Sequence, residues 1–71
     1  MSLKVKSVRR RELLDRAAIA VENAFRAADT IAPVAVAQRL LDEHAETSLT
    51  VVELADLIAR LAEGRGVRQA P

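Results

Sequence analysis

Leu49-Thr50-Val51-Val52-Glu53-Leu54-Ala55-Asp56-Leu57-Ile58-Ala59-Arg60-Leu61-Ala62-Glu63-Gly64 reads as a helix with chemically marked ends. Thr50 and Glu53 form the pattern of a capping box, in which the Thr hydroxyl accepts from the Glu53 amide and the Glu carboxylate accepts from the Thr50 amide. Leu49 before the cap and Leu54 after it have the spacing of a hydrophobic staple. Gly64 stands where a helix favours a left-handed residue, and Arg60 is placed to meet the negative end of the helix dipole. Between these ends the apolar residues cover roughly 220° of a helical wheel, leaving Glu53, Asp56, Arg60 and Glu63 as a narrow polar strip. An arc that wide calls for more than one neighbour, so the remainder of the chain is expected to pack around it.

The 71 residues allow one domain, near the lower size limit for a fold held by its core alone. Of 36 apolar residues 14 are alanine and Phe25 is the sole aromatic, so burial must come from Leu, Val and Ile on closely spaced helices. A chain with so little bulk gains from association, because about 1.5 kcal/mol of ordering entropy per residue leaves a monomer of this size near balance. With no cysteine, disulfides, zinc-thiolate sites and thiol catalysis are excluded. No apolar run approaches membrane-spanning length, and Arg9, Arg10 and Arg11 lead into Glu12 and Asp15 rather than a signal-peptide core. A soluble cytoplasmic protein is expected, and the Ala- and Arg-rich usage suits a GC-rich bacterium.

Charge is uneven beneath a net +1. Residues 1–16 carry six basic side chains against two acidic ones, residues 17–56 carry two against seven, and the remainder carries three against one. The basic end, with Lys4, Lys6, Arg9, Arg10 and Arg11, is therefore the candidate for phosphate contacts.

Outward from the capped helix, Pro33 suits the first turn of a preceding helix, where its missing amide costs nothing. That helix, ending near Ala45, places Val34, Val36, Ala37, Leu40, Leu41 and His44 on one side, and Glu46, Thr47 and Ser48 form a short link. Before it, a long helix is expected to begin at Ser7, or near Arg11, and to reach about Ala28. Leu14, Ala18, Val21, Phe25 and Ala28 recur at spacings of four and three as its packing seam, widened by Leu13, Ala17, Ala20, Ala24 and Ala27. Ile19 falls in its polar sector. Residues 1–7 are expected as a flexible basic arm and 65–71 as a frayed tail, leaving one all-α unit of three helices over 8–64, a bundle or a helical hairpin.

Sites for chemistry are scarce. His44 is the only histidine, and a lone histidine at a helix end is expected to interact with the helix C-terminus. Asp42, Glu43 and Glu46 lack the i, i+3 or i, i+4 histidine partner of a metal site, and adjacent carboxylates on a helix diverge. Each hydroxyl lies in an arm, cap or link without a base and an orienting third group, and the two glycines follow the last helix rather than forming a phosphate loop. No enzyme activity, cofactor or metal is expected. As a DNA-recognition helix, residues 50–63 would present Val51, Val52, Glu53 and Asp56 at the N-terminal positions that read bases, side chains that are apolar or repelled by phosphate.

These features point to a non-enzymatic helical interaction module, a homodimer or a binder of another protein, with Ile19, Ala20, Ala24, Val52 and Ala59 as its interface. The alternative is a small nucleic-acid-binding or regulatory protein that uses the basic N-terminal segment.

Overall fold

The structure, a computed structural model, describes the backbone of residues 2–43 and 48–70, and the side chains among these from Arg10 onward. Three helices succeed one another: α1 (Ser2–Arg26), α2 (Pro33–Glu43) and α3 (Val51–Arg65). They pack pairwise as a small all-α bundle, and the one β-type pairing among the described residues is an isolated parallel bridge between Ile31 and Gln69. His44 and the link residues 45–47 lie outside the described residues.

The capped helix forms as its sequence dictates. The Glu53 amide donates to Thr50 Oγ1 at 3.2 Å, the Thr50 amide donates to Glu53 Oε1 at 3.2 Å, and Leu49 and Leu54 are both buried beside this cap. Leu54, Ala55, Ile58 and Ala62 form the buried line of α3, which meets Ala37 and Leu40 of α2 and Leu13, Ala17 and Val21 of α1 in one core with Ile31, Leu49 and Val67. Leu13, Leu54 and Ile58 are its largest fully enclosed side chains, each contributing about 2 kcal/mol.

Four sequence expectations are corrected. First, α1 starts at Ser2, so Ser7 is not its cap, and residues 2–7, expected as a flexible arm, belong to its first turns. The stretch has no Gly or Pro to interrupt it, and its Leu3, Lys4 and Lys6 are good helix formers. Second, the buried line of α1 is Leu13, Ala17 and Val21, while Ala18, Phe25 and Ala28 of the expected seam are exposed. The alanine edge lets a neighbouring backbone come close, and the helix turns about 60° from the expected seam to use it.

Third, α3 runs past Gly64 to Arg65, and Gly66 is the left-handed residue that ends it, at φ 78°. Arg60 is consequently internal to the helix and pairs one turn back with Asp56 at 3.1 Å, while Arg65 occupies the last turn. Fourth, the expected frayed tail is docked. Val67 is buried, the Ile31 amide donates to the Arg68 carbonyl at 2.9 Å, and the Ala70 amide donates to the Ile31 carbonyl at 2.8 Å. A periodicity search finds nothing in such a segment, because it docks through single residues and backbone groups.

Candidate interaction surfaces

The C-terminal ends of α1 and α3 meet, and there the side chains are most tightly organised. Arg65 donates from Nε to Glu22 Oε2 at 2.8 Å and from Nη2 to Glu22 Oε1 at 2.6 Å, a bidentate pair that ties α3 to α1. Its guanidinium lies over the Phe25 ring, 4.6 Å from the centroid, so one side chain serves an ion pair and a cation–π contact. The hydrogen bonds from Arg65 hold the Glu22 carboxyl below its ordinary value, assisted by the positive charges of Arg65 and Arg26, and Glu22 in turn raises Arg65. Both groups are solvated, which makes this tie a positioning device more than a source of stability.

The segment after Gly66 crosses this end as a strap. Besides its two backbone bonds with Ile31, the Gln69 side-chain amide donates to the Ala59 carbonyl at 3.0 Å. A shallow depression lies between the strap and the end of α1, walled by Phe25, Asp29, Thr30 and Arg68. Asp29 already accepts from the Thr30 amide at 2.8 Å. Among the described residues no polar side chain is buried, and no group of three His, Asp or Glu is arranged to hold a metal ion. No helix among them is long and apolar enough to cross a membrane.

The five residues expected at an interface fall into two sets. Ile19 and Val52 are exposed, at 55% and 76% of their surface. Ala20 and Ala24 are half-buried and pack against the molecule's own core, beside a groove that also takes in Ala27, Val36 and Arg39. Ala59 is half-buried, and its carbonyl is engaged by the strap. Of the residues expected to contact phosphate, Arg10 and Arg11 are exposed on α1, while Lys4, Lys6 and Arg9 have described backbone within that helix and no described side chains.

Sequence reasoning missed Phe25, Leu61 and Val34 as surface residues; they are 47%, 37% and 63% exposed. A hydrophobic wheel assigns all three inward, and the rotation of α1 together with the narrowness of this core leaves them outside. Leu61 lies one turn before Arg65 on the side of α3 that reaches Glu22, so Leu61 and Phe25 flank the α1–α3 junction. No family model, curated protein or solved structure matches the chain.

Proposed function

We propose that this protein is a non-enzymatic helical interaction module that associates with a second copy of itself. One observation carries the reading. Among the described residues five large apolar side chains, Ile19, Phe25, Val34, Val52 and Leu61, stand exposed, against eight that are buried, Leu13, Val21, Ile31, Leu40, Leu49, Leu54, Ile58 and Val67. Each exposed side chain is ordinary when alone, but on a body this small they are a large share of the apolar material, and covering them is the available source of further stability. A closed two-fold dimer is the simplest way to do so.

Ile19 and Val52 are the contacts to test, because the fold does not use them. Ile19→Asp and Val52→Glu should each weaken the dimer about tenfold or more while leaving thermal stability of the monomer nearly unchanged, as for surface substitutions in general. An unchanged dissociation constant in both variants would remove these residues from the interface.

A second reading has its own observation. Because α1 starts at Ser2, Lys4, Lys6, Arg9, Arg10, Arg11 and Arg16 are carried on one continuous helix, and among its described side chains Arg10, Arg11 and Arg16 are exposed. A basic helical end of that kind can lie along a phosphate backbone. Replacing Arg9, Arg10 and Arg11 together by Gln should leave self-association intact and abolish any salt-sensitive binding to duplex DNA. Binding that persisted in the triple variant, or that ignored added salt, would dismiss this reading.

A further inference from the structure

We infer that the C-terminal strap, residues 67–70, is an exchangeable clasp, and that in the self-associated state it crosses to the second copy and binds there as it binds in its own chain. The inference rests on the self-association proposed above and specifies its chemistry. The strap is held by non-covalent contacts with residues distant in sequence: Val67 enters the core, Arg68 and Ala70 bracket the backbone of Ile31, and Gln69 donates to the Ala59 carbonyl. All are contacts that an identical chain offers equally well. The groove is thus complementary to one known peptide, the strap itself.

The hinge is built for two positions. Gly66 takes the left-handed conformation at φ 78°, with its amide bonded to the Ala62 and Glu63 carbonyls, and the Val67 amide turns back to the Ala62 carbonyl at 2.8 Å. If Gly66 instead takes helical dihedrals, α3 continues and the same Ala62 and Glu63 carbonyls accept from the amides of residues 66 and 67, so no backbone acceptor is orphaned. A side chain built at Gly64 or Gly66 meets nothing within 4 Å, so the hinge has free space around it. The strap then leaves Ile31 and Ala62 uncovered and extends away from its own body.

Competition between the two positions is governed by effective concentration. Tethered in cis, the strap competes at an effective concentration of order millimolar. Two bodies associated through their apolar side chains present the partner's groove at a comparable concentration, so the closed and the exchanged strap are populated to a similar extent, and whatever strains the closed turn shifts the balance toward exchange.

The test uses the full chain. In a mixture of isotope-labelled and unlabelled protein at about millimolar concentration, filtered NOEs between the Val67 methyls of one chain and Ile31 or Ala62 of the other are expected. Gly66→Val supplies the second arm, since a β-branched residue strains only the closed turn and leaves the groove intact. It should tighten the dimer roughly tenfold or more by light scattering, because two closed turns are relieved per dimer. A wild-type dimer that lacks the inter-chain NOEs and that Gly66→Val does not tighten would overturn the exchange while leaving self-association standing. A monomer in both proteins at every concentration would overturn both.

Discussion

Two helices of this molecule end with the same hydrogen-bond pattern and different residues. At the end of α1 the Asp29 amide bonds back to the Ala24 carbonyl at 2.9 Å and the Ala28 amide to the Phe25 carbonyl at 3.2 Å. At the end of α3 the Val67 amide bonds to Ala62 at 2.8 Å and the Gly66 amide to Glu63 at 3.2 Å. Both are Schellman turns, with the left-handed position filled by Ala28 at φ 52° in one and Gly66 at φ 78° in the other. The next residue differs as well, since Asp29 is exposed while Val67 is buried beside the core. The α3 end has the residue its backbone prefers and an apolar latch. The α1 end has neither, and the segment leading on to α2 is held by the strap through Ile31. A helix end can therefore be specified locally or imposed by a partner segment, and this molecule contains one of each side by side.

The largest effect should come from removing the latch. Val67→Asp places a charge in the core and should destabilise the fold by about 3 kcal/mol, whereas Asp29→Val, at the equivalent position of α1, should cost less than about 1 kcal/mol. Urea unfolding of both variants reads the difference directly, and equal costs would dissolve the distinction between the two ends. Next in size is Gly66→Ala, expected to cost about 1 kcal/mol through backbone strain alone, because the added Cβ has open space. The reverse change at the other end, Ala28→Gly, should stabilise by about 0.5–1 kcal/mol, detected as a raised midpoint in the same titration. Loss of stability on Ala28→Gly would mean that Ala28 is not strained.

The smallest effect concerns the tie across the junction. Glu22 is held below its ordinary carboxyl value of 4.5 by the Arg65 hydrogen bonds. Its contribution is therefore complete above that value and is lost as pH falls through the lowered folded-state value. Glu22→Gln should flatten the acid limb of the stability curve slightly, with little change at neutral pH. A stability curve that coincides with that of the unmodified protein throughout the acid limb would mean that the pair does not form in solution.

Much of the architecture was legible because it rests on local chemistry. The Thr50–Glu53 capping box and the proline at the start of α2 mark helix starts wherever they occur in a chain. The wide apolar arc of α3 was visible as well, but only the packing selects Leu54, Ala55, Ile58 and Ala62 within it and leaves Leu61 outside. The features that escaped depend on relations between segments. Alanines and larger residues compete for the inward side of α1, and only the packing of α2 and α3 against it decides in favour of Leu13, Ala17 and Val21. Gly64 and Gly66 can each terminate a helix, and the burial of Val67 selects Gly66. The strap's attachment to Ile31 uses backbone groups, which every sequence possesses and no pattern reveals. At the expected interface, the exposure of Ile19 was readable from its polar surroundings, whereas the engagement of Ala59 by Gln69 needed the tail's path.

The central claim is that the exposed apolar faces serve association with a second copy, and the mass in solution tests it most directly. Light scattering over a concentration series, at low and at high salt, should show a dimer that strengthens with concentration and survives high salt, as apolar contacts do. A monomer mass across the whole series in both conditions would contradict the account.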